Sequence, residues 1–173
     1  MGRLFLSLFA AMVFATAAAD ADATPARSGC DSKQSHQFDF WVGAWDVASA
    51  KAPGKTIAHS RIEKLYAGCA VRENWKPLRP EAGGGSLNAY DPVRGKWRQF
   101  WTDSDGAIIE FAGGLNGTRM ILEGPLDQAG QPPQQKRMTF TPKDDGSVEQ
   151  VGETSRDGKV WTPEYDLIYR PSK

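Results

Sequence analysis

The sequence predicts an all-β fold, an antiparallel up-and-down barrel of about ten strands. Three observations carry that prediction. Nearly every segment after residue 37 is short, rich in β-branched or aromatic residues, and closed by a turn signal. No useful window has the period of an amphipathic helix, so crossover helices and a parallel sheet have no support. The turn signals recur along the chain: Pro53-Gly54, Arg94-Gly95, Asp105-Gly106, Asn116-Gly117, Asp145-Gly146 and Asp157-Gly158. Asp-Gly and Asn-Gly suit two-residue hairpins, because both central positions of a type I′ turn need positive φ. Sequential strands therefore pair, and rolling the meander shut removes its two exposed edges. A two-sheet sandwich is the main rival, but Greek keys need longer connections than these.

Taken in order, the chain opens with Arg3 and an apolar stretch from Leu4 to Ala15, which reads as an export signal too short to span a bilayer. Ala17-Ala18-Ala19 and Ala21-Asp22-Ala23 both suit a signal peptidase, giving a signal peptide over 1–19, with cleavage after Ala23 as the alternative. A retained anchor fits a run this short less well, and lipid attachment at Cys30 is disfavoured by Arg27 just before it. Residues 20–36 form a lead-in and 37–171 a single barrel domain of ordinary size. The expected destination is the periplasm or the cell exterior, and no later segment is apolar enough to cross a membrane as a helix. Lys and Arg total 21, as do Asp and Glu, scattered singly, which gives none of the basic excess of a nucleic-acid binder. Oligomeric state is not legible.

The first strand is placed at Phe38–Ser49, with Trp41, Gly43, Trp45 and Val47 on one face and Phe38, Phe40, Val42 and Ala44 on the other. The remaining strands are Thr56–Tyr66, Cys69–Lys76, Ser86–Asp91, Lys96–Asp103, Ala107–Leu115, Thr118–Glu123, Lys136–Thr141, Ser147–Thr154 and Lys159–Tyr169. Two longer connections, 77–85 and 124–135, are rich in Pro, Gly and Gln; each is a candidate lid, though solvated surface excursions are commoner. In an exported chain Cys30 and Cys69 are expected to form a disulfide that ties the lead-in to the third strand. Neither cysteine has the close-spaced partners of a zinc site or an adjacent histidine to make a catalytic thiol.

Hydrolase and nucleotide signatures are absent. Gly85-Ser86-Leu87 lacks the second glycine of a nucleophile elbow. The stretch 152–160 has one residue too many for a phosphate loop and Val160 where Ser or Thr should stand, so it reads as a hairpin. Asn116-Gly117-Thr118 is formally a glycosylation sequon but also a turn. His36 and His59 stand apart and without neighbouring ligands, so no metal site is expected and a haem ligand is only the minority reading.

The aromatic residues point more clearly to a site. If Trp75, Trp97 and Trp101 face inward, then Glu73 and Gln99 do too. A buried carboxylate must be paired, hydrogen-bonded or protonated. Arg72 lies on the wrong face to serve, and Arg61 or Arg98 would need another register. Glu73 and Gln99 thus become the polar anchors of a pocket lined by Trp75, Trp97, Trp101, Phe111, Met120 and Tyr165. The bland alternative is a solid tryptophan core. Glu164 and Asp166 share a face of the last strand but read as solvated.

The block Phe38 to Val47 resembles the opening of a group of uncharacterised secreted bacterial proteins with a Phe-Asp-Phe-Trp-x-Gly-x-Trp-Asp-Val signature. The resemblance continues through Ile62-Glu63-Lys64, Gly68-Cys69, Glu73-Asn74-Trp75, Tyr90-Asp91-Pro92 and 157–161. Gly43-x-Trp45 also resembles the first-strand hallmark of lipocalins and their calycin relatives. That likeness implies a small-ligand binder in which Trp41, Gly43 and Trp45 close one end and Arg170 packs over the tryptophan. Haem-binding barrels of the nitrobindin kind stand near the same architecture. The expected function is non-catalytic binding of a small apolar or amphipathic molecule, without a cofactor. The alternatives are a cavity isomerase, cyclase or lyase using Glu73 as acid or base, and a filled structural or interaction module.

Overall fold

A computed structural model describes residues 30–127 and 129–173; the expected export signal and its cleavage sites lie outside them. Ten strands close into an antiparallel up-and-down barrel: β1 (Gly43–Ser49), β2 (Thr56–Leu65), β3 (Ala70–Pro77), β4 (Gly84–Asp91), β5 (Lys96–Asp103), β6 (Ile108–Asn116), β7 (Arg119–Leu126), β8 (Gln134–Pro142), β9 (Val148–Ser155) and β10 (Thr162–Pro171). Each strand pairs with its sequence neighbours, and β1 pairs with β10, Val47 opposite Tyr169, to shut the sheet. Closure leaves no unpaired edge. No described helix is long and apolar enough to cross a membrane.

The first predicted strand is corrected at its start. Residues 38–42 do not continue the sheet; Lys33–His36 and Asp39–Trp41 are 3-10 helices, and the strand begins at Gly43. With about three residues per 3-10 turn, positions three apart share a side. Phe38 and Trp41 therefore point the same way, not to opposite faces, and both are fully buried. They stack at 4.9 Å and pack on Phe140, Trp97 and Tyr169, so the segment folds under the barrel as an aromatic plug. Gly43 belongs to the same arrangement. A Cβ there would stand 3.3 Å from the Trp45 indole, whose Nε1 donates to the Trp41 carbonyl at 2.9 Å.

The hairpins also differ in kind. Gly95, Gly106, Gly117, Gly146 and Gly158 take left-handed φ, whereas the residues before them do not, so these are not type I′ turns. The left-handed pair falls instead at Tyr66-Ala67, both at φ 53°, where Gly68 N–H bonds the Leu65 carbonyl at 3.1 Å. Cys69 follows at once and is joined to Cys30 in a disulfide spanning 39 residues, so the strained turn and the root of the plug are tied together. Lys64 on β2 adds ion pairs to Asp39 at 2.7 Å.

Strand directions separate the two ends. The plug and the turns 66–69, 92–95, 117–118 and 143–147 lie at one end, and the connections 50–55, 78–83, 104–107, 127–133 and 156–161 at the other. Both candidate lids therefore sit at the unplugged mouth, shortened because β7 runs to Leu126 and β4 begins at Gly84.

Reducing the Cys30–Cys69 bridge frees the plug's tether as well as a loop whose closure entropy amounts to about 4 kcal/mol in the chain model. Urea denaturation with and without dithiothreitol should show a large loss of stability on reduction, and Cys69→Ser should reproduce it; an unchanged midpoint would contradict the tether.

Candidate functional site

Above the plug the barrel is hollow. A cavity of about 520 Å³ opens at the mouth, its inner wall built from Glu73, Trp75, Gln99, Trp101, Phe111, Met138, Gln150, Tyr165, Leu167 and Tyr169. Strand alternation puts these side chains inward: Glu73 and Trp75 from β3, Gln99 and Trp101 from β5, Tyr165, Leu167 and Tyr169 from β10. Tyr169 forms the floor, since its ring touches both Trp41 of the plug and Trp75 of the cavity, at 6.1 Å each. A bulge between Pro163 and Tyr165 sets the last strand's phase. It leaves Glu164 at the rim, bonded to Lys136 at 2.7 Å. Gly152 makes room for Tyr165: a Cβ on Gly152 would overlap the tyrosine ring, so the ring lies flat against β9.

Six of the eight expected pocket residues line the cavity: Glu73, Trp75, Gln99, Trp101, Phe111 and Tyr165. Trp97 and Met120 do not. They sit lower, in the filled half, where Trp97 packs edge-on against Phe38 and donates from Nε1 to Gln37 at 3.2 Å. Arg170 is corrected too. It is exposed on the outer wall and donates to the Pro53 carbonyl at 3.0 Å, and the packing beside Trp45 falls to Tyr169. His36 and His59 bond Asp39 and Asp46 at 2.8 Å, and neither lines the cavity. Among the described residues no group of three or more His, Cys, Asp or Glu could hold a metal ion. Glu164 reaches the mouth, whereas Asp166 does not line the cavity.

Gln150, Tyr169, Met138 and Lys136 were not among the expected residues. The signal that finds Glu73 also applies to Gln150, a polar residue on the inward face of an apolar strand. Tyr169 shares the face of Tyr165 four positions on.

Polar side chains behind the aromatic lining form an ordered chain. Asn88 Nδ2 donates to the Val71 carbonyl at 2.9 Å and to Ser86 Oγ at 3.0 Å. Its Oδ1 accepts from Gln99 Nε2 at 2.6 Å. Ser86 and Ser60 each donate to Glu73, both at 3.2 Å. Tyr169 donates to Gln150 Oε1 at 2.6 Å, and Gln150 Nε2 has only the Met138 sulfur at 3.5 Å. Gln99 Oε1 is buried and accepts from no described group. Among the described residues no arginine reaches Glu73: Arg61 and Arg72 pair with Glu63, and Arg98 with Glu110, all on the outer wall.

Glu73 is 5% exposed. Burial pushes its carboxyl up to about 7, against a partial opposing pull from the hydrogen bonds of Ser60 and Ser86. Burial also holds the Tyr165 and Tyr169 hydroxyls protonated well above the ordinary phenol range. The arrangement can orient a small molecule through hydrogen bonds inside an apolar chamber, and it keeps one carboxyl able to exchange a proton near neutrality.

No family model matches this chain, and no curated protein matches it.

The sign of the Glu73 effect follows from its raised value. The folded protein holds a proton there that the unfolded chain, titrating near 4.5, has already released, so stability falls as pH rises from about 4.5 and levels off above about 7. The gap corresponds to about 3 kcal/mol. Urea denaturation of wild type and Glu73→Gln across this range should show the variant relatively more stable above about pH 7, with its advantage shrinking as pH falls to about 4.5 and constant below. Parallel pH profiles would refute the buried, unpaired carboxyl.

Proposed function

We propose that the barrel binds a small apolar or amphipathic molecule in its open half, as an exported protein of the periplasm or cell exterior. One observation carries this reading. The 520 Å³ cavity is lined mostly by aromatic and aliphatic side chains, with a few convergent polar groups at its inner wall, which is the usual composition of a small-molecule site. A solid tryptophan core does not account for that space. The Cys30–Cys69 disulfide suits an oxidising, non-cytoplasmic compartment, and the outer wall carries ion pairs such as Arg61–Glu63–Arg72 and Arg137–Glu153.

Titration with N-phenyl-1-naphthylamine, an uncharged apolar fluorophore, tests the reading. Wild type should bind it with one-to-one stoichiometry and enhanced emission. Leu167→Trp, which narrows the chamber, should weaken binding severalfold while circular dichroism shows the barrel intact. Affinity unchanged in the narrowed variant would place the probe elsewhere and count against the cavity.

A second reading, a cavity enzyme using Glu73 as acid or base, has the value of about 7 in its favour. A molecule recovered from protein isolated from its own host decides between the two. If it is turned over by wild type and bound without turnover by Glu73→Gln, the barrel is an enzyme; if wild type releases it unchanged, it is a binder.

A further inference from the structure

The polar groups of the inner wall are tied into one network that ends on the Glu73 carboxyl. Asn88 is oriented by its donation to the Val71 carbonyl, so its Oδ1 must face Gln99. Gln99 therefore turns its amide nitrogen to Asn88 and leaves Oε1 without a partner, in a side chain 3% exposed. The hydroxyl hydrogens nearby are already committed: those of Ser60 and Ser86 to Glu73, that of Tyr169 to Gln150. Gln150 Nε2 is loosely held, and the Tyr165 hydroxyl also lines the chamber. Gln99 Oε1 is closed off from the chamber, so the acceptor that an entering molecule meets is the Glu73 carboxyl, held by two serine hydroxyls and by no cation.

Charge narrows the class further. β2 and β4 face Glu73 with Ser60 and Ser86, and β10 with Tyr165 and Tyr169. The cavity's other charged groups are at the mouth. Lys136 is taken by Glu164 at 2.7 Å and by the face of the Tyr165 ring, and Asp105 stands 3.9 Å from Arg79, which does not line the cavity. Asp103 caps its own turn and the Trp101 indole. Glu73 is thus a deep carboxyl with no cation, in a chamber it shares with the Trp75 and Trp101 rings. An anionic ligand would bring a like charge to it; a cation would supply the missing partner and stack on the rings.

We propose that the cavity takes an apolar organic cation, an aryl- or alkylammonium, whose N–H groups donate to Glu73. This rests on the binding reading and specifies its ligand class. Calorimetric titration with 1-naphthylmethylamine, 1-naphthalenemethanol and 1-naphthoic acid compares cation, neutral molecule and anion on one ring system. At about pH 7.5 the amine should bind roughly tenfold or more tighter than the alcohol, with the acid weakest. Glu73→Gln should remove the amine's advantage and leave the alcohol within about twofold. In wild type the ratio of amine to alcohol affinity should rise from about pH 6 to about pH 8 as Glu73 gives up its proton, a readout that does not depend on the variant folding.

An alcohol or acid binding as tightly as the amine, an advantage that survives Glu73→Gln, or a ratio flat with pH would each overturn the assignment. Equal binding of all three probes would do so while leaving the cavity reading intact. If none of the three binds, both fall.

Discussion

The stack of Phe38 on Trp41 beneath the barrel is the contact on which the rest depends. Barrels wider than about eight strands begin to exceed what inward side chains can fill, and ten strands close here. The plug supplies the missing volume at one end only, packing on Trp97, Phe140 and Tyr169. The interior thereby becomes a chamber with one mouth instead of a channel with two. The Cys30–Cys69 bridge and the Lys64–Asp39 ion pairs hold the plug in place from outside. The connections free to vary in length lie at the opposite end, where a ligand would enter.

The sequence made the barrel legible where it alternates. Lys96–Asp103 is a strand at the bounds its pattern predicts, because Trp97, Gln99 and Trp101 alternate with Lys96, Arg98 and Thr102, Phe100 alone being apolar on the outer face. The segment from Phe38 to Val42 misled, because a short aromatic-rich run broken only by Asp39 satisfies a strand and a 3-10 turn alike; the Phe38-x-x-Trp41 spacing is the signal for the helix. The hairpin signals located the turns without their type, and Tyr66-Ala67 took the left-handed pair with no Asn-Gly to announce it. Within the site, alternation tells which way a side chain points but not how far along the axis it sits. Trp97 and Trp101 share one face of β5, yet four residues carry one into the plug and the other to the mouth. Met120 was misplaced for the same reason.

Glycine and small polar residues keep the chamber open. Tyr165 can lie against the wall because Gly152 offers no Cβ to hold it away. Ser60, Ser86 and Asn88 occupy inward positions that a leucine or phenylalanine would otherwise fill, and all three are buried. Their hydrogen bonds run in one direction, from Gln99 through Asn88 and Ser86 to Glu73. Such a network fixes rotamers, since each group is held by the one before it. The polar side of the chamber is therefore preorganised, and a ligand meeting it need not order those side chains itself.

Glu73 links the site to the stability of the fold. A carboxyl buried without a cation penalises the folded state once it ionises, and the two serine hydroxyls bonded to it offset only part of that penalty. Any molecule that neutralises the charge in place removes the remainder, so occupancy and folding stability are thermodynamically linked through one residue. The empty protein carries a local cost near neutral pH and the occupied protein does not. That coupling follows from burial and from the absence of Arg, Lys or His beside Glu73 on β2, β4 and β10. It gives the inner wall a physical reason to discriminate by charge, whatever the shape of the apolar body that fills the space above it.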